Sequence, residues 1–136
     1  MNLSGLAKKL LNDGAIAEDA IRNASETAQK QKIPLVTYLV QNDLVPARTI
    51  AMAASEEFGT PLIELESVST DSFPKDLVSE KLVRKHRALP LFKRGTRLYV
   101  AVADPTNLQA LDEIKFNTGL GTEAVVVDED KLDAAI

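Results

Sequence analysis

The sequence predicts an α+β fold: a bundle of four short helices, built as a tandem helix-turn-helix repeat over residues 1–60, then a small mixed α/β subdomain over residues 61–136. Three observations carry this. One apolar and turn pattern occurs twice, 29 residues apart: Leu6-Ala7, Leu10-Leu11, Gly14, Ile16, Ile21 and Ala24 are matched by Leu35-Val36, Leu39-Val40, Asp43, Val45, Ile50 and Ala53. Beyond Gly59 the three-four spacing gives way to short apolar runs broken by turn residues, the pattern of strands mixed with helices. With 136 residues and 45% hydrophobic content, the chain can build one ordinary core or two small cores that lean on each other. A helical unit that stacks on its own copy builds surface, so a binding or docking module ranks ahead of catalysis.

Each element has a local reason. Ser4 caps a helix whose apolar positions Leu6, Ala7, Leu10 and Leu11 share one face, and Asp13-Gly14 ends it. A second helix begins near Ala17-Glu18, turns Ile21, Ala24 and Ala28 inward, and runs to the polar stretch Gln29–Lys32. Pro34 suits the first turn of a third helix, where its missing N–H costs nothing, and Asn42-Asp43 takes the place of Asp-Gly as its turn. Pro46 opens a fourth helix in the same way, with Ile50, Ala53, Ala54 and Phe58 inward and Gly59 as the stop.

In the second half, Leu62-Ile63-Glu64-Leu65 alternates as a strand does. Phe73-Pro74-Lys75-Asp76 opens a helical region with Leu77, Val78, Leu82 and Val83 on one side. Ala88–Phe92 and Arg97–Val102 read as two strands of a hairpin joined through Lys93-Arg94-Gly95-Thr96. Asp104-Pro105-Thr106-Asn107 is turn chemistry leading into a helix with Leu108, Leu111, Ile114 and Lys115-Phe116, closed by Gly119. A further strand over Thr122–Val127 and a last helix over Asp130–Ile136 complete a small mixed sheet with helices packed on it.

Composition narrows the function. A net charge of −4 argues against nucleic acid, which needs a net positive face, and aromatic residues at 4% without Trp leave no platform for stacking on bases. The absence of cysteine removes disulfides, thiolate nucleophiles and cysteine zinc sites. Neither a signal-like N-terminus nor a run of membrane-spanning length is present, so a cytoplasmic chain without membrane insertion is expected. No pair of groups is spaced for acid-base or nucleophilic chemistry.

The stretch Leu77–Phe92 (LVSEKLVRKHRALPLF), followed by Leu98–Asn107 (LYVAVADPTN) and Leu111–Phe116 (LDEIKF), resembles the N-terminal domain of type IV pilus extension and type II secretion ATPases. The resemblance covers essentially the whole chain. It implies a parent that is a homohexameric motor at the cytoplasmic, inner-membrane base of the pilus machine, with ATP and Mg in a later domain. No Gly-x-x-x-x-Gly-Lys phosphate loop occurs here, so the piece is expected to be regulatory, non-catalytic, without a cofactor or metal of its own, and monomeric.

In some relatives the first subdomain binds cyclic di-GMP through two motifs of the form Arg-Leu-Gly-x-x-Leu-Val-x-x-Gly-x-Ile. Against that pattern the scaffold positions survive as Leu6, Leu10, Leu11, Gly14 and Ile16, and as Leu35, Leu39, Val40 and Val45. The ligand-facing positions do not: Gly5 and Pro34 stand for Arg, Ala7 and Val36 for the first Gly, and Asp43 for the second Gly of copy two. Arg offers a planar donor fork and Gly lets a ligand approach the backbone. One lost charged hydrogen bond alone costs about 1.5–3 kcal/mol. The resemblance therefore implies docking of a PilZ-type adaptor, with a cyclic di-GMP receptor behind it, and contact with inner-membrane platform components, in preference to direct messenger binding.

Candidate partner-binding residues are Leu35, Tyr38, Leu39, Phe58 and Leu62, with Arg84, Arg87, Lys93 and Arg94 from the basic stretch Lys81–Arg97. For Tyr38, Phe58 and Leu62 the alternative is interdomain core. For the basic stretch it is a helix C-terminus whose cations suit its dipole, followed by a solvated hairpin tip. His86, the single histidine, lacks companions at ligand spacing. Among Asp128, Glu129 and Asp130, a helix cap at Asp128 or Asp130 is favoured over a cation site.

Overall fold

The computed structural model describes residues 3–68, 73–74 and 77–136. The four helices of the repeat are α1 (Gly5–Asn12), α2 (Glu18–Gln31), α3 (Leu35–Gln41) and α4 (Ala47–Phe58). The Ser4 hydroxyl accepts from Ala7 N–H at 3.2 Å, satisfying one of the free donors of α1. Pro34 and Pro46 sit one residue earlier than expected, at the N-cap positions of α3 and α4, in matching extended conformations (φ −62°, ψ 143° and φ −61°, ψ 144°).

The duplication extends to the backbone. Gly14 and Asp43 both take positive φ, 75° and 54°. Ala15 N–H donates to Leu10 O at 3.0 Å, and Leu44 N–H to Leu39 O at 2.9 Å. Gly14 N–H donates to Leu11 O at 3.1 Å, and Asp43 N–H to Val40 O at 3.2 Å. Each copy thus ends its first helix in the same left-handed turn, and copy two does so without glycine because Asp tolerates that region. α1 packs mainly on α4, and α2 on α3.

The mixed half contains α5 (Glu80–His86), β1 (Leu89–Arg94), β2 (Arg97–Val102), α6 (Leu108–Thr118), β3 (Gly121–Val126) and α7 (Glu129–Ala135). Its sheet has the order β1-β2-β3. β1 and β2 form an antiparallel hairpin closed by Gly95-Thr96, where Gly95 takes the positive φ (59°) such a turn demands at its first central position. β2 and β3 are parallel, from Arg97 opposite Gly121 to Val102 opposite Val126, and α6 is the crossover between them. One contiguous core runs from Leu10, Ile21, Leu39 and Ile50 of the repeat through Leu65 to Leu91, Val100, Ile114, Val126 and Leu132.

Three expectations are corrected. Leu62–Leu65 forms no strand of its own: Leu62 makes a single parallel bridge to Val126, held by Ile63 N–H to Val126 O (2.9 Å) and Val126 N–H to Pro61 O (2.8 Å), and the chain then closes a 3₁₀ turn at Leu65–Ser67. The helix expected from Phe73 starts at Glu80, where the Ser79 hydroxyl accepts from Leu82 N–H at 3.2 Å. Leu77 is consequently off the helix and exposed, while Lys75 and Asp76 lie outside the described residues. Finally, Asp128 occupies the N-cap position of α7 but makes no capping bond, because its carboxylate is turned toward Arg48.

Candidate docking site

The repeat meets the mixed half at α7, which packs against α3, α4 and β2. The residue that places α3 there is Thr37, buried on the inner side of the helix; its hydroxyl donates to Glu129 Oε1 at 2.9 Å. Glu129 is also paired with Arg87, whose Nη2 reaches Asp133 at 3.0 Å. A second tie lies beside it: Arg48 of α4 holds Asp128 at 3.1 Å through Nε and Glu64 at 2.7 Å through Nη1. The N-terminus of α7, at Asp128 and Glu129, is therefore pinned to the repeat.

Burial and charge act oppositely on this cluster. Glu129 is only 5% exposed, and desolvation pushes its carboxyl above the ordinary Glu value against the pull of Arg87 and Thr37. Desolvation works against the charge of Arg87 too. Attraction to Glu129 and Asp133 outweighs it, because this side chain keeps 25% exposure, and the guanidinium is held above its ordinary value. Glu64, at the surface, is lowered by its hydrogen bond to Arg48. Arg87 Nε and Asp128 Oδ1 are buried without a hydrogen-bond partner. Such a cluster specifies how two surfaces sit together more than it stabilises them, since removing one partner strands the other in a dry site.

The remaining space is small. A cavity of about 40 Å³ lies between Pro34 and Thr37 on one side and Arg87, Asn107 and Glu129 on the other. That volume takes little more than water, against the several hundred Å³ typical of a ligand pocket.

The structure separates the candidate partner residues into classes. Leu39 is fully buried, so it belongs to the spine with Leu6 and Leu10 and presents nothing to a partner. Arg87 likewise faces inward, into the α7 cluster. Leu35 and Tyr38 are half-buried along α3, as are Leu11 and Val40 at the ends of the two short helices. Phe58 lies against α1, where its ring would meet a side chain at Gly5 at 3.6 Å, and Leu62 is occupied with Val126. Phe58 and Leu62 thus fall on two separate contacts. Arg84 is exposed and paired with Glu80 at 2.5 Å, whereas Lys93 and Arg94 are exposed on the hairpin, Arg94 lying 5.6 Å from the Phe92 ring centre.

Of the motif positions, Ala7 and Val36 are buried, so their side chains fill core where the family pattern has glycine. Gly14 and Asp43 keep the turn, and Pro34 caps α3 without a donor. His86, only 7% exposed at its side chain, is held by Glu113 at 2.5 Å. Sequence reasoning missed this pair, and it missed the Thr37–Glu129 and Arg48–Asp128 ties; the one local signal was a polar Thr on the apolar face of α3. Among the described residues no group of three or more metal-ligating side chains converges, and no helix is long and apolar enough to cross a membrane.

The fold is that of solved relatives. The N-terminal domain of XpsE superimposes with a TM-score of 0.78 over 98% of this chain and 94% of that one, at 22% identity. The structure of MshE with cdg superimposes with a TM-score of 0.70 over 96% of this chain and 94% of that one, at 23% identity. In sequence, the chain is 44% identical over all 136 residues to the type IV pilus assembly ATPase PilB of Pseudomonas aeruginosa, and 41% identical over 130 residues (96% of the chain) to PilB of Acinetobacter baylyi. It spans 24% and 22% of the lengths of these relatives. The family model of the MshEN domain matches residues 58–136. The chain belongs to the MshEN domain family, in the form found in PilB-type ATPases.

Proposed function

We propose that this MshEN domain is a non-catalytic regulatory and docking module of a type IV pilus assembly ATPase, and that its helical repeat receives a PilZ-type adaptor that links cyclic di-GMP signalling to pilus extension. The observation that carries the reading is a repeat whose spine and left-handed turns are intact while its messenger-contacting positions are Gly5, Pro34, buried Ala7 and buried Val36. Neither Arg position offers a side-chain donor. A scaffold kept in that state presents half-buried apolar residues such as Leu35 and Tyr38, which suit a protein face. The parent would be a homohexamer at the cytoplasmic base of the machine, in contact with inner-membrane platform components, and the domain by itself a monomer.

Calorimetric titration with the PilZ-type adaptor of the same organism tests this. The expected result is a one-to-one complex weakened at least tenfold by Tyr38→Ala; absence of heat and of co-elution would refute it. A second reading, direct sensing of cyclic di-GMP, is favoured by the shared fold with MshE, solved with cdg, which we take to be that dinucleotide. Micromolar binding of labelled cyclic di-GMP, lost when Leu35 is changed, would establish it in place of the first.

A further inference from the structure

We infer that the outer face of α6 is a self-complementary patch through which two copies of this chain pair weakly, helix against antiparallel helix about a two-fold axis. α6 packs on β3, with Ala110 and Ile114 fully buried against the sheet. At about 3.6 residues per turn, Leu108, Asp112, Lys115 and Phe116 fall within an arc of about 100° directly opposite that buried stripe. All four are exposed, Leu108 at 63% and Phe116 at 89%. Scattered apolar residues at a surface need no explanation, but these two share their stripe with two unpaired charges of opposite sign. Asp112 and Lys115 make no ion pair among the described residues, whereas Glu113 and Arg97 nearby are engaged by His86 and Glu123.

The order of these residues selects the occupant. Leu108 and Phe116 lie four positions either side of Asp112, so an antiparallel copy centred there sets Leu108 of each chain against Phe116 of the other. Lys115 of each helix then faces the turn that carries Asp112 of the other, and two ion pairs form across the axis. A stripe with one charge of each sign favours neither an acidic nor a basic partner. Its own copy, reversed, meets both apolar side chains and both charges with their complements.

The contact is small. An 11-residue helix, about 16 Å long and 10 Å across, presents a face that falls short of the roughly 1,000 Å² a stable interface buries. The free chain is accordingly a monomer at micromolar concentration. Pairing takes hold where copies are kept at millimolar local concentration, as they would be in the hexameric parent proposed above. It makes no use of α3, so it stands or falls independently of adaptor docking.

Sedimentation velocity of the 136-residue chain from micromolar to millimolar concentration tests this, with every variant checked for folding by circular dichroism. Dimer should appear toward the millimolar end and weaken at least threefold in Phe116→Ala. Asp112→Lys and Lys115→Glu, which make the stripe wholly cationic or wholly anionic, should each weaken self-pairing at least tenfold. Mixed in equal amounts, those two variants should pair with each other more tightly than the unaltered chain pairs with itself, and the double swap of Asp112→Lys with Lys115→Glu should restore the original behaviour. Tyr38→Ala should change nothing. A chain that stays monomeric at millimolar concentration, a dimer indifferent to Phe116→Ala or lost in Tyr38→Ala, or charge variants that do not regain pairing when mixed overturns the inference.

Discussion

The two copies of the helical repeat share a backbone and differ in what they touch. Both close their first helix with the same hydrogen bonds, and both bury a leucine completely, Leu10 in one and Leu39 in the other. Copy two, however, carries Thr37 and Arg48, which anchor it to α7; the equivalent positions of copy one are Lys8 and Asp19, both exposed. One shape occurs twice, and the polar residues Thr37 and Arg48 tie copy two, and not copy one, to α7.

This contrast can be broken at several points. The largest effect is expected from the shared spine: Leu39→Ala and Leu10→Ala should each cost about 2–5 kcal/mol in urea denaturation, because both side chains are fully buried and leave a cavity. A marked inequality between them would mean that one copy is held mainly by something other than its core. Next comes the anchor. Thr37→Val keeps shape but strands the Glu129 carboxylate and should cost about 1–3 kcal/mol, whereas Lys8→Ala should fall within about 0.5 kcal/mol of the parent.

At the turns, Gly14→Ala should cost about 1 kcal/mol because φ is 75°, and Asp43→Gly should be neutral or slightly stabilising, measured as shifts in Tm. The smallest effect is one of pH. Glu129 is raised by burial, so just above the ordinary value of 4.5 the folded chain holds a proton that the unfolded chain has released. Its contribution is therefore complete below that value and is lost as pH rises through the folded-state pKa. Glu129→Gln should improve relative to the parent chain as pH is raised through that window; a constant difference across it would show that desolvation does not dominate. Arg48→Ala should remove the opposite trend at Glu64, whose lowered pKa contributes stability above the ordinary value and loses it in acid.

How legible the molecule is from its residues depends on the range of the forces involved. The helical spines, the cap at Ser4, the turns at Gly14 and Asp43 and the Gly95 hairpin follow from neighbours a few positions apart, and all were readable. Leu62–Leu65 has strand-like alternation but too little room before Leu65 turns into the core, so a single bridge to Val126 is all that forms. Leu77 carries the right spacing for the helix after it, yet the Ser79 cap starts that helix later. The ties at α7 join residues 92 and 80 positions apart, and no local pattern announces them. The exposure of Phe116 was hidden for a related reason: α6 needs only the stripe through Ala110 and Ile114 to cover the sheet, and which stripe wins depends on the register of β3. Arg87 could not be recognised as inward-facing without α7 in place.

The bond between Thr37 and Glu129 has a kinetic corollary. The repeat can assemble from nearby contacts, whereas this closure spans 92 residues and is expected to form after the rate-limiting barrier. Weakening it should then leave the refolding rate almost unchanged and hasten unfolding, so that the lifetime of the native chain, more than its speed of formation, is set at that one hydroxyl.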